Sequence, residues 1–479
     1  MIRRTASIKF MRKFILITIF ITVVLGCNLA EAVNWPLRIH SGGIYLEDQS
    51  GVPFPIIGDA AWSAIVMLNH TDLATYLNDR QNKGFTAIVM NAIEHKFCNN
   101  APADIYGNVP FTNGENNWSV RNESYWLNVD YVLNQAKSRN MVVILAPAYL
   151  GYGCGDEGWC ANMQAQSDSA MTSYGNWIGS RYANQGNIIW LNAVDANCAD
   201  YPNACARVND IANGIKATNP CLHTAEGARE DAAMDDYNQS WLDLNTVYCT
   251  NTDVDLNTKT QYQRTGAKPF FLIEAYYENE HSTTVIDWQN QELIPILGGA
   301  FGFVFGNCPI WGFNTTAMSG FCDNNTRTWQ GSLSLAGSTT TSYIGKLIQS
   351  RKWWGLVPDY SNTAVTSPKG SGTSYHATAR VSTGETVMVW CPSTNQVTVD
   401  MTKISGSQAM AWWWNPDDNS SSLIGTYNTT GTHNFTPSSA RKVLVLDDAS
   451  KNLAAPGTTV YSIDKIPPSP PTNLRIISQ

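Results

Sequence analysis

Eight short apolar runs recur between residues 53 and 311: "PFPIIGDAAW", "FTAIVMNAI", "MVVILAPAYL", "NIIWLNAVD", "CLHTAEG", "LNTVYCT", "PFFLIEAYYE" and "GAFGFVFGNCPIW". Most are followed by a segment of helical character. "TDLATYLNDRQNKG" opens on a Thr suited to capping, carries Leu73, Tyr76 and Leu77 at helical spacing and stops at Gly84. "NESYWLNVDYVLNQAKSRN" likewise puts Trp126, Val129, Val132 and Leu133 on one face. Strands that are apolar almost throughout, joined by helices, form a parallel sheet buried on both faces. Eight such units in about 300 residues predict an α/β fold of the (β/α)₈ barrel type rather than an open sheet. No GxGxxG or P-loop follows any run, which argues against a nucleotide fold.

Beyond "SRKWWGLVPDY" the texture changes. "YHATARVS", "ETVMVWCP", "QVTVDM", "AMAWWWNP", "HNFTP" and "RKVLVLDD" are short alternating segments separated by Gly, Ser, Thr and Pro. They predict a C-terminal antiparallel β-sandwich. In "WWW" at 412–414, alternation assigns at least one ring to the core. The expected organisation is a leader over 1–32, a barrel over 33–355, a sandwich over 356–450 and a linker over 451–479. In that last stretch "KIPPSPPTNLRIISQ" resembles the start of a fibronectin type III module.

The leader reads as a targeting segment: basic "MIRRTASIKFMRK", apolar "FILITIFITVVLG" and small-residue "AEA" at 30–32. A second reading uses "VLGC", with Cys27 lipid-modified and the protein tethered at the cell surface. Both readings mean export, to a secreted or cell-surface location, and no later stretch is long and apolar enough to span a bilayer. Of eleven cysteines, ten follow Cys27, an even number that suits disulfides. Cys154/Cys160, Cys198/Cys205 and Cys308/Cys322 are close enough in sequence to close small loops. No CxxC pair or HExxH motif occurs, so no metal and no other cofactor is expected. Cleavage after Ala32 moves the formal charge from −8 to −12, with 26 basic against 38 acidic residues. An acidic chain without basic clusters is a poor partner for nucleic acid.

A (β/α)₈ barrel presents its chemistry at the carboxyl ends of its strands. Those ends carry Asp59 and Trp62 on the first strand, Asn91, Glu94 and His95 on the second, and Tyr149 on the third. The fourth offers Asn192 and Asp195, the sixth Tyr248, the seventh Glu274, Tyr277 and Glu278, and the eighth Asn307 and Trp311. Acids and amides suit hydroxyl groups and rings suit the apolar faces of sugars, so a polysaccharide is the expected partner. Glycoside hydrolysis needs two carboxyl groups, and the fourth and seventh strands lie across a barrel from one another. Asp195 and Glu274 are the expected catalytic pair, and the remaining residues the expected substrate-binding set. Each has a structural alternative: Asp195 as a loop cap, Glu274 as an ion-pair partner, His95 as a hydrogen-bonded wall, Tyr277 and Trp311 as packing.

The pieces "PFPIIGDAAW", "LAPAYLGY", "GDEGW", "NIIWLNAVD", "FFLIEAYYENEH" and "VFGNCPIW", in this order, resemble the apiosidase-like glycoside hydrolases. "SRKWWGLVPDY", "VMVWCPS", "VTVDM", "AWWWNPDD" and "KVLVLDD" resemble the module that usually follows, named for a collagen-binding domain of a collagenase. Together the resemblance covers residues 35 to 448. It implies a barrel packed on a sandwich, Asp195 as acid/base, Glu274 as nucleophile, and hydrolysis at apiose residues in pectin side chains. Here Ala193 and Val194 stand where the family commonly has glycines, and the cysteine-bearing loops 154–160 and 198–205 are local elaborations. A non-catalytic glycan- or matrix-binding protein is the competing reading. The two strand-end acids favour the enzyme, and no zinc-protease or GxSxG motif supports a collagenase.

Overall fold

The computed structural model describes residues 32–250, 252–313, 322 and 327–461. The leader through residue 31, with Cys27, and the fibronectin-like tail from residue 462 lie outside the described residues. The eight apolar runs form eight strands: β1 (Ile56–Ala60), β2 (Ala87–Asn91), β3 (Val142–Ala146), β4 (Ile188–Leu191), β5 (Leu222–Thr224), β6 (Asn245–Tyr248), β7 (Phe270–Glu274) and β8 (Gly302–Phe305). They make one parallel sheet in the order β5-β4-β3-β2-β1-β8-β7-β6. Pairing of β8 with β1, Phe305 opposite Asp59, closes most of the ring. The seam falls between β5 and β6, where amides of Asp243 and Leu244 donate to the carbonyl of His223. The Thr224 hydroxyl donates to the Leu244 carbonyl at 3.0 Å. β5 is three residues long, and a side chain completes what backbone pairing does not.

The crossovers are α1 (His70–Asn82), α2 (Glu123–Lys137), α3 (Asp168–Arg181), α4 (Pro202–Thr218), α5 (Ala233–Asp236), α6 (Val254–Gln263), α7 (Val285–Leu297) and α8 (Ala336–Gln349). Leu73, Tyr76 and Leu77 on α1, and Trp126, Val129, Val132 and Leu133 on α2, face the sheet as their spacing requires. The cap of α1 differs from the expected Thr71. Asn69 takes that position, its side chain accepting from the amides of Thr71 and Asp72, because its extended backbone leaves both amides within reach.

Residues 356–448 form the sandwich. A six-stranded sheet contains Leu356–Pro358, Thr378–Val381, Thr386–Cys391, Gln408–Trp414, Ser421–Asn428 and Lys442–Asp448. Val397–Asp400 and Thr432–Phe435 pair as a second, two-stranded sheet. Trp414 is fully buried, while Trp412 and Trp413 are partly exposed. The barrel docks through α7, whose residues Trp288 to Leu297 are all buried. Asn290 Oδ1 accepts from Trp390 Nε1 at 2.7 Å, and Gln289 donates to Asp417 at 2.8 Å. Just past α8, Arg351 makes a bidentate ion pair with Asp447 at 2.9 and 2.7 Å.

Three disulfides form, Cys154–Cys160, Cys198–Cys205 and Cys308–Cys322, each in a loop that follows a strand's carboxyl end. The even count of ten misleads for the rest. Cys98, Cys221, Cys249 and Cys391 are thiols, the last three buried as small apolar side chains. Among the described residues no helix is long and apolar enough to cross a membrane. None of their His, Cys, Asp and Glu side chains form a group of three that could hold a metal ion.

Candidate active site

A cleft of about 510 Å³ opens at the carboxyl ends of the strands. Of the expected residues, Trp62, Tyr149, Asp195, Tyr248, Glu274, Tyr277 and Trp311 line it. Backbone irregularity aims both acids. Pairing of β6 and β7 slips between Leu272 and Glu274, a bulge that leaves Glu274 opposite Tyr248 and turned into the cleft. Asp195 lies four residues past the end of β4 in the left-handed region, φ +65°, with its carbonyl accepting from Gly153. A non-glycine residue is seldom held there unless its surroundings enforce it.

The polar atoms around the two acids form a directed network. Trp62 Nε1 donates to the Tyr277 hydroxyl at 2.7 Å. The hydroxyls of Tyr277 and Tyr248 hydrogen-bond the Glu274 carboxyl. Tyr149 donates to Asp195 Oδ2 at 3.0 Å. The Tyr277 ring lies against the backbone of residue 306, where any β-carbon would sit 2.1 Å from it, so only glycine fits. Burial pushes Asp195 up to about 6, the Tyr149 hydrogen bond opposing and the Glu157 charge assisting. Burial, then the charges of Asp195 and Glu280, also raise Glu274, against the pull of its two tyrosines. Close buried carboxyls cannot all ionise and titrate as a group.

The remaining expected residues lie behind the cleft lining. Asp59 is fully buried, paired with Arg80 at 2.7 Å and bonded by the Tyr76 hydroxyl at 2.5 Å; it ties β1 to α1. Glu94 is buried beside Asn91, Ser63 and Cys98, and burial lifts it to about 7. Asn91 donates to Glu94 at 3.3 Å. His95 joins Glu115 at 3.1 Å and the Asp156 carbonyl at 3.0 Å, stitching two rim loops as a wall residue. Asn192 donates to His223 Nδ1 and the Thr224 carbonyl. Asn307 donates to Glu278 at 2.8 Å, and Glu278 accepts from the Gly337 amide at the start of α8.

The structure adds groups that strand-end reading passed over. Phe97, Tyr152, Glu157, Arg229, Glu280 and His281 line the cleft from loops, which have no periodicity to reveal them. Val194 also faces the cleft, so the departure from glycine is felt there. Glu226, two residues past β5, is fully buried, and the charges of Glu274 and Asp195 act on it. Its signal was available: it stands past an apolar run as Glu274 stands at the end of another.

Buried, hydrogen-bonded carboxyls converging at the open end of a (β/α)₈ barrel define a class, the barrel glycoside hydrolases. The family described as "Apiosidase-like, catalytic domain" matches residues 40–355. The family described as "Putative collagen-binding domain of a collagenase" matches residues 357–447. The chain belongs to the apiosidase-like family, and it is a glycoside hydrolase. In fold it is similar to a glycoside hydrolase family 5 protein from Bacteroides vulgatus ATCC 8482, with 20% identity and a TM-score of 0.77, over 89% of this chain and 96% of that one. A second structure, named "Glycoside hydrolase", aligns at 22% identity with a TM-score of 0.76, over 88% and 98% of the two chains. No curated protein sequence matches the chain.

Proposed function

We propose that the protein is an exported hydrolase of a plant or microbial polysaccharide, acting on apiose residues of pectin side chains by a retaining double displacement. The observation that carries the mechanism is the meeting of Asp195 and Glu274 at one cleft, with tyrosine hydroxyls beside each and Asp195 raised to about 6, which suits a proton donor. Protonated Asp195 gives its proton to the glycosidic oxygen while the Glu274 carboxylate attacks the anomeric carbon; the sugar–oxygen bond breaks and a glycosyl ester forms. Asp195, now a carboxylate, takes a proton from water, whose oxygen attacks the same carbon and releases Glu274. Aromatic rings from Trp62, Trp311 and Phe97 offer stacking surfaces for the sugar. The acidic protein meets an acidic polymer through Arg229, which lines the cleft and hydrogen-bonds Tyr152. Three disulfides and the leader segment support export to an oxidising compartment.

The test is release of reducing ends from pectic, hemicellulosic and β-glucan polysaccharides by the wild type and Glu274→Gln. Pectin is expected to respond, with the variant slower by about 10³-fold or more. Proton NMR of the first-formed anomer then reads the stereochemistry. Equal rates in the two proteins would remove Glu274 from the chemistry, and an inverted anomer would remove the double displacement.

A further inference from the structure

Glu226 is a fully buried acid of the cluster that the scheme above does not use. Its side chain is fully buried, its amide donates to the Ala193 carbonyl at 2.9 Å, and no protein N–H or hydroxyl reaches either carboxyl oxygen. Its carboxyl lies within hydrogen-bonding reach of the carboxyl of Glu274. Asp195 in the loop after β4, Tyr248 on β6, Glu274 at the end of β7 and Tyr277 just past it are the titratable groups facing it. None of them is a cation. An ionised carboxylate in that position would have neither a donor nor a counter-charge, which is among the costliest states a buried side chain can adopt. A neutral acid has an O–H to donate, and Glu274 is the acceptor in reach.

We propose that Glu226 is a positioning residue: as a neutral acid it donates its proton to the Glu274 carboxylate, adding a third hydrogen bond to those from Tyr248 and Tyr277. The inference rests on the reading of Glu274 as nucleophile. It explains how a site with three buried carboxyls keeps its negative charge where attack requires it. Burial raises both acids, Asp195 and Glu280 add to Glu274, and Glu157 adds to Asp195 while Arg229 opposes it, so the donors each acid holds act beside these charges. Three donors aimed at Glu274 against one at Asp195 work to hold the charge on Glu274, in opposition to the Glu280 charge beside it and the Arg229 cation near Asp195. Every effect acting on Glu226 itself, burial first and then Glu274 and Asp195, raises it well above the carboxylate range.

Two measurements on the full chain separate this proposal from the hydrolase reading. Infrared difference spectra at pH 7, wild type minus Glu226→Gln, are expected to show one protonated-carboxyl stretch lost in the variant. No difference in the protonated-carboxyl region, with carboxylate stretches lost instead, would mean that Glu226 is ionised and would overturn the proposal, whatever the enzyme cleaves. The second measurement is the pH profile of reducing-end release from pectin for wild type, Glu226→Gln and Glu226→Leu. Leu fills the space without a donor and is expected to lower kcat on the order of 10- to 100-fold. KM should stay unchanged, because Glu226 does not line the cleft. The acidic limb should move to higher pH, since a carboxylate that loses a donor is harder to ionise. Gln restores an N–H donor and is expected to recover most of the lost kcat. A purely packing role predicts no shift of the limb and no advantage of Gln over Leu, and that result would also overturn the proposal. A wild type inactive on every polysaccharide would sink the hydrolase reading, while the infrared band would still decide the proton's place.

Discussion

At the scale of single residues the site is a problem of charge in a poorly solvated place. Asp195 and Glu274 each retain some exposure to the cleft, yet burial raises both above a free carboxyl. That displacement has a thermodynamic consequence. Asp195 has an ordinary value of 3.8 and is raised to about 6 in the fold. Between these values the folded state keeps a proton that the unfolded chain has released, so stability from this group is full below 3.8 and falls as pH rises through 6. Asp195→Asn is therefore expected to be more stable than wild type at pH 8, by about 1–3 kcal/mol, and indistinguishable from it at pH 3.5. Thermal melts at the two pH values check this. A variant less stable than wild type at pH 8 would show that Asp195 stabilises the fold as an ion. Position at a strand end brought seven of the fourteen expected residues to the cleft lining, but it could not tell which strand-end acids the helices had claimed. Asp59 is spent on Arg80 of α1, a partner 21 positions away that only the packing of that helix brings to it.

At the scale of elements, the loops after β3, β4 and β8 each carry a disulfide, and the first also carries Tyr149, Tyr152 and Glu157. That loop is tight: Gly151 takes φ +94°, and a β-carbon on Gly158 would meet the backbone of residue 151 at 2.0 Å. Replacing Cys154 and Cys160 together by Ser is expected to cost about 2 kcal/mol, as for a loop of this length. Because three cleft-lining side chains depend on the loop, KM for the responding polysaccharide should rise more than kcat falls. An unchanged KM would show that hydrogen bonds such as Gly153 to Asp195 hold the loop without the bridge. Spacing made the three pairs legible because each closes a short loop. The four remaining cysteines were misread because a count cannot register that Cys221, Cys249 and Cys391 lie in packed interior as unbonded thiols.

At the scale of the whole molecule, barrel and sandwich share buried polar contacts as well as apolar ones. Helix α7 is enclosed over its last ten residues, and the Arg351–Asp447 pair is sealed at 1% and 3% side-chain exposure. Removing one member of such a pair leaves a buried charge without compensation. Arg351→Met is expected to lower stability by about 3–5 kcal/mol. Calorimetry should show the whole described body melting in one transition, in wild type and variant alike. A barrel peak unmoved by the substitution, with a separate low-temperature sandwich peak, would show that the two fold independently.

What the sequence by itself determined was the architecture and the strand-end acids. Runs such as "MVVILAPAYL" and "PFFLIEAYYE" can be satisfied only by burial on both faces, and the period of "NESYWLNVDYVLNQAK" admits one helical face. These are local signals, carried by neighbours in the chain. Strand β5 shows the boundary of that rule: its run places Glu226 just past the strand, but nothing local records that this acid is buried beside other acids. Only the tertiary structure decided that Glu226 lies beside Glu274 rather than in solvent, that Glu94 and Glu278 turn away from the cleft, and that Arg229 and His281 reach into it. The protonation state of a buried acid depends on donors and charges brought from distant positions by ring closure, and no local pattern in the chain records them.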